Sequence, residues 1–260
     1  MTMRQTGETE AIYSMLREKA RAIAARLPLP DFYAVHAGEV SSAQSGLANH
    51  PLLNRLMSLV AERIENDFGH GLAHARKVAV DAGALMLVES QQVGLSEVEA
   101  DRRQILAQSA GLLHDMCRRE KSHAVAGARN AAVVLRRFKR PAAEIEAVCY
   151  AIANHEAFQH IQAPPSDLAH MVANCLYDAD KFRWGPDNFT HTLWDMVASF
   201  NPPLSAFVAR YPGGMQKLEE IKVTFRSLTG RRFGPQMINF GIDIGRELLT
   251  IIRTEFTHLL

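Results

Sequence analysis

Through most of this chain apolar residues recur at intervals of three and four. Ile12, Met15, Leu16, Ile23 and Leu27 form one stripe that predicts a first helix of about 17 residues. The prolines, glycines and serines of LPLPDFYAVHAGEVSSAQSGLANH then interrupt the pattern, which predicts a long loop or arm before position 51. Pro51 is placed as the first residue of a second helix, PLLNRLMSLVAERIE, where its missing amide proton costs nothing. In the next, GLAHARKVAVDAGALMLVES, one face carries Leu72, Ala75, Val78, Ala79, Ala82 and Leu85. Ser96 and Glu99 have capping-box spacing ahead of a helix running through RRQILAQSAGLLHDM.

HAVAGARNAAVVLRRF, AAEIEAVCYAIANHEAF and DLAHMVANCLYDADKF follow as helices. Further ones are expected after Pro186, after Gly213 and Gly214, and after Pro235, with Arg231 and Arg232 in a basic turn before the last. No alternating strand or internal repeat interrupts the series. The reading is all-α, about ten helices in a compact bundle, divided as an N-terminal helix and arm over 1–50 and a helical domain over 51–260.

Within that pattern GLLHDMCRRE, residues 111–120, ends an apolar run in His114 and Asp115. Alone, the pair reads equally as a helix end meeting solvent. Two other helices, however, bring the same kinds of group to apolar faces: His74 stands beside Ala75, Val78 and Ala79, and Asp178 and Asp180 end LAHMVANCLYDADK. Burying such groups is costly unless they pair or share a cation. Two neutral imidazoles and two carboxylates, with positions left for water, suit manganese, iron, cobalt, nickel or magnesium better than a closed tetrahedral zinc site.

His123 opens one helix and His155 lies near the end of another. If both ligate, the set becomes His74, His114, Asp115, His123, His155 and Asp180. That is enough for two ions bridged by a carboxylate, with Asp115 as the bridge. His70, one turn before His74 on the same face, is the alternative first ligand; the spacing to Val78 and Ala79 favours His74 and leaves His70 open. Arg118, Lys121 and Lys181 are the nearby cations expected to meet substrate, and Asp178 is expected to orient a ligand histidine.

In order, HARKVA (74–79), LLHD (112–115), HAVAGA (123–128), IANH (152–155) and DADK (178–181) resemble the motifs of the HD superfamily of metal-dependent phosphohydrolases, over a motif core of 70–185. The resemblance implies an all-helical fold in which His74, His114, Asp115 and Asp180 hold one metal. His114 and Asp115 would then be its catalytic centre, and His123 and His155 look like the added ligands of two-metal members. No G-Y-P follows the fourth histidine, so the chain is unlike the cyclic-di-GMP phosphodiesterase branch, and the R-x-x-x-H arrangement of the alarmone hydrolases is also missing.

Composition narrows the picture. A chain of 260 residues that is 47% hydrophobic can bury a substantial core. The net charge of +1 exerts no global pull on a nucleic-acid polymer. The N-terminal stretch lacks the apolar core of a signal peptide, and nothing approaches the roughly 20 apolar residues needed to cross a bilayer. A soluble, cytoplasmic protein that is free of membrane is expected, either monomeric or a homo-oligomer. Cys117, Cys149 and Cys175 are odd in number and far apart, which fits reduced thiols.

The expected function is hydrolysis of a phosphoester on a small phosphorylated substrate, with one or two divalent metal ions as cofactor; a nucleotide is expected ahead of a sugar or lipid phosphate. An HD-fold di-iron oxygenase and a non-catalytic regulatory module are the rivals.

Overall fold

In a computed structural model the chain is described over residues 3–63 and 71–260, with side chains from residue 9 onward. The described residues form α1 (Met3–Ala24), α2 (Asp31–Val35), α3 (Ala37–Asn49), α4 (Pro51–Arg63), α5 (Leu72–Gln92) and α6 (Glu97–Leu113). The series continues with α7 (His123–Arg137), α8 (Ala142–Ala153), α9 (Asp167–Phe182), α10 (Leu193–Phe200), α11 (Leu204–Lys222) and α12 (Leu228–Glu255). A single π-helical turn, Asn188–Thr192, leads into α10. Among the described residues there is no strand, and none of the helices is long and apolar enough to cross a membrane. All three cysteines are free.

The centre is a layer of helices in which α5 packs on α6 and α9, and α8 packs on α7 and α9. Helix α5 is buried on every side from Asp81 to Val88, wider than the single stripe in its sequence, as befits a central helix. Its neighbour α6 begins as the capping box requires, with Ser96 Oγ accepting from Glu99 N. Helix α12 closes another side, packing on α1, α9 and α11 through Phe233, Met237, Ile242 and Leu248.

The expected loop over 28–50 is instead α2 and α3. Its small residues, taken above as loop signals, form a packing face. A Cβ at Gly46 would stand 2.5 Å from Gln104 Nε2, so the glycine leaves room for the end of the Gln104 side chain against α3. Gln108 Nε2 donates to Ala43 O at 2.7 Å, which secures the contact. Phe32 from α2 is fully buried, and the Tyr33 hydroxyl donates to Asp81 at 2.9 Å. Asp81 also receives Arg183, from just beyond α9.

Two other expectations need correction. Helix α11 starts at Leu204 and runs through Pro212, Gly213 and Gly214; α12 starts at Leu228 and runs through Pro235. Arg231 and Arg232 are therefore helical and exposed. An interior proline orphans the carbonyl four residues earlier. For Pro235 that is the carbonyl of exposed Arg231, and the apolar face of α12 outweighs the cost.

The start of α12 also redefines Asp178. Its carboxylate accepts from Arg226 N and Ser227 N, both at 2.8 Å, and from Ser227 Oγ at 2.7 Å. It therefore anchors the turn into α12, and its bonds do not go to a ligand histidine. Ser227 Oγ in turn accepts from Gly230 N at 2.8 Å, capping the helix. Ser227→Ala removes a cap and a buried hydrogen bond and is expected to lower stability by about 2 kcal/mol. A shift in the urea unfolding midpoint would measure it, and an unchanged midpoint would mean the cap contributes nothing.

Candidate metal centre

Each proposed ligand is delivered by the end or inner face of a central helix. His74 lies in the first turn of α5. Helix α6 stops at Leu113, and the turns over 114–119 aim His114 and Asp115 inward. His123 is the first residue of α7, His155 lies two residues past α8, and Asp180 is in the last turn of α9. His74, His114, Asp115, His155 and Asp180 are all buried. His70 lies outside the described residues.

The six side chains converge. His74 Nε2 is 3.4 Å from His114 Nε2 and 3.3 Å from Asp180 Oδ1, and His114 Nε2 is 3.9 Å from that oxygen. Asp115 Oδ2 closes this group, 3.3 Å from His114 Nε2 and 3.9 Å from His74 Nε2. The other oxygen faces a second group: Asp115 Oδ1 lies 3.6 Å from His155 Nε2 and 3.9 Å from His123 Nε2. Donors on one ion at about 2.1 Å each stand roughly 3–4 Å apart. Both groups have that spacing, and His74, His114, Asp180 and His114, Asp115, His155 each form a set able to hold an ion.

The tautomers suit this role. His114 Nδ1 is 2.8 Å from Gly111 O, and His155 Nδ1 is 2.7 Å from Ile152 O. A carbonyl only accepts, so in each ring Nδ1 carries the hydrogen. In the neutral ring Nε2 is left with a lone pair directed at the centre.

The field favours a cation. Burial pulls the His114 pKa down, but Asp115 and Asp180 outweigh it and the value ends raised. Burial pushes the Asp180 carboxyl up, yet Lys181, 2.5 Å away, and His74 hold it well below the usual carboxylate range. His123 moves the other way, lowered by burial and then by the Arg118 guanidinium.

Arg118 occupies the edge of the second group. Its Nη1 is 3.0 Å from His123 Nε2 and 3.5 Å from Asp115 Oδ1, so it competes there with a second ion. Arg118→Met is expected to raise affinity for the second equivalent of manganese about ten-fold by removing like-charge repulsion. Calorimetric metal titration would read this, and an unchanged or weaker second step would contradict it.

Of the other expected substrate contacts, Lys181 is buried beside Asp180. Lys121 is exposed and is not among the described residues lining the cavity. Glu156, which sequence reasoning passed over, has Oε1 3.7 Å from His123 Nδ1; its place directly after His155 was the available signal. Arg226 donates to Asn154 O at 2.8 Å and so clamps the backbone next to His155.

The centre opens into a cavity of about 650 Å³. His74, His123, His155, Asp180, Arg118 and Lys181 line it, together with apolar side chains from the π-helical turn, α10 and α11. Trp184 is a cleft wall, whereas Trp194 is core and donates to Phe189 O.

No family model matches the chain, and no curated protein matches it. Among solved structures, this chain is similar to the crystal structure of a predicted HD superfamily hydrolase from an uncultured Thermotogales bacterium. The two share 20% identity over 77% of this chain and 92% of that one, with a TM-score of 0.47.

Proposed function

We propose that this protein is a metal-dependent phosphohydrolase acting on a small phosphorylated substrate, a class that includes the nucleotide expected from the sequence. The observation that carries the reading is the placement of Asp115: one oxygen faces His74 and His114, the other faces His123 and His155, and three of those histidines, His74, His123 and His155, line a cavity. His74, His114, Asp180 and Asp115 Oδ2 would hold a first ion, and His123, His155 and Asp115 Oδ1 a second. A donor set of nitrogens and carboxylate oxygens fits manganese, iron, cobalt or nickel, and tolerates magnesium. Such ions lower the pKa of coordinated water toward neutrality and draw charge off a phosphoryl oxygen.

The chain supplies the rest. Arg118 at the cavity edge and Lys181 beside Asp180 offer positive charge to phosphate oxygens that the ions do not reach. The carbonyls of Gly111 and Ile152 keep His114 and His155 in the ligating tautomer. In the net reaction water adds to phosphorus, the bond to the ester oxygen breaks, and that oxygen leaves with a proton as the alcohol.

The test is phosphate release from p-nitrophenyl phosphate and a panel of phosphomonoesters after loading with manganese or iron. Release should vanish with chelator and return with metal. Iron-dependent oxygen uptake without phosphate release would overturn the proposal in favour of an oxygenase. Stoichiometric metal binding with neither reaction would favour a binding module.

A further inference from the structure

The cavity beside the metal donors is lined by two unlike sets of side chains. From this we infer that the substrate carries an apolar body, alkyl or alkyl-aromatic, on its phosphate, where a nucleotide would carry a nucleoside; the phosphate head group rests on the phosphohydrolase reading above. Four of the donors, His74, His123, His155 and Asp180, line the cavity together with the cations Arg118 and Lys181. Phe189, Leu193, Met196, Phe207, Met215 and Leu218, from the π-helical turn, α10 and α11, supply an apolar lining. A phosphate fills little of about 650 Å³, a volume typical of sites for whole small molecules. What fills the remainder must match an apolar surface.

That apolar wall is firmly held. Trp194 Nε1 donates to Phe189 O, and the Tyr211 hydroxyl donates to Gly245 O at 2.9 Å, which pins α11 to α12. With the Tyr211 hydroxyl committed, Asn188, Thr192 and Trp184 are the uncharged hydrogen-bonding side chains among the described lining residues apart from the histidines; Arg183 is held by Asp81 and Asp187, and Arg210 and Lys217 are exposed. A base edge and a ribose bring more polar groups than these few side chains can satisfy, and each one buried unmatched weakens binding. An apolar chain brings none.

The mouth repeats the preference. Phe158, three residues after His155, has φ 64°, a left-handed conformation that is strained for an aromatic residue and persists where the surroundings enforce it. Its ring is 53% exposed and lies under Lys217 Nζ, 3.9 Å from the ring centroid. Phe200, also among the lining residues, is 71% exposed. The loop that delivers a metal donor therefore also presents an apolar ring to whatever enters. In the reaction the phosphate ester takes up water, the phosphorus–oxygen bond breaks, and an apolar alcohol and inorganic phosphate leave.

The experiment is calorimetric titration of the manganese-loaded protein with n-alkylphosphonates from methyl to decyl. Hydrolysis of n-alkyl phosphates and nucleoside 5′-monophosphates is measured in parallel. Affinity should rise about four-fold per methylene until the cavity is filled. Octyl phosphate should exceed any nucleoside monophosphate in kcat/KM by at least about ten-fold, which follows from a few methylenes at that increment. Met196→Lys places a charge in the apolar lining at a side chain that already reaches solvent, and Phe200→Lys does so at the rim; both should flatten the series. A flat series in the unaltered protein, or a preference for nucleoside monophosphates, overturns the inference. Length-dependent phosphonate binding without hydrolysis of any phosphoester keeps the apolar body and overturns the phosphohydrolase reading. Hydrolysis with a flat series does the reverse.

Discussion

Asp115→Ala is expected to strip the protein of bound metal and to lower kcat/KM for phosphoester hydrolysis by about a thousand-fold or more, the equivalent of several kcal/mol of lost transition-state stabilisation. The size follows from geometry. The side chain serves both donor groups, Oδ2 at 3.3 Å from His114 and Oδ1 at 3.6 Å from His155, so one substitution opens both. It also removes a charge that keeps the His114 pKa raised, and with it part of the field that attracts a cation. Elemental analysis by plasma mass spectrometry, run beside the unaltered protein, reads the metal, and phosphate release reads the activity. Hydrolysis that survives after the metal is lost would show that the mechanism is wrong.

Gly111→Ala is the second large effect, and it acts through packing. A Cβ at Gly111 would stand 2.6 Å from Ala79 Cα and 2.8 Å from Ala79 N. Backbone cannot rotate away as a flexible side chain would, so α5 and α6 must separate. Overpacking of this kind costs roughly 3 kcal/mol, or roughly 6–10 °C in Tm for a domain of this size. The same displacement separates His74 on α5 from His114 at the end of α6, two rings now 3.4 Å apart at Nε2. First-ion affinity should therefore fall along with Tm, by about ten-fold. Gly213→Ala is the control: nothing lies within 4 Å of its added Cβ, and alanine in an exposed helix position should stabilise slightly. If both variants melt alike, the close contact of α5 with α6 does not govern the centre.

Much of this architecture was legible because helices announce themselves locally. Pro51 opens α4, Ser96 caps α6, and the apolar stripes of α5 and α9 lie where the spacing predicts. The six side chains that converge at the centre were legible for a related reason. A histidine or carboxylate on an otherwise apolar helix face needs a partner, and several such faces in one chain imply a shared one.

The failures have a common cause. AGEVSSAQSGLAN looks like loop because small residues weaken a helix in isolation; here they form α3, which buries Ala43 and Leu47 and packs on α5. Gly213, Gly214 and Pro235 look like helix ends, yet α11 and α12 continue through them because their buried faces outweigh a local penalty. Asp178 shares its motif with Asp180, two positions away on α9. Those two positions rotate its side chain to the N-terminus of α12, where it serves as an anchor.

By itself, the sequence determined the all-helical class, the main helices and the identity of the groups that meet at the centre, because periodicity and the cost of burying charge are properties of residue type and spacing. Only the tertiary structure decided which oxygen of Asp115 faces which imidazoles, that Arg118 stands beside His123, and that apolar residues of α10 and α11 line the cavity beside these groups. Those are relations between α5, α6, α7, α9, α10 and α11 across the fold, set by how their faces pack, and no local pattern in the chain encodes the distances between them.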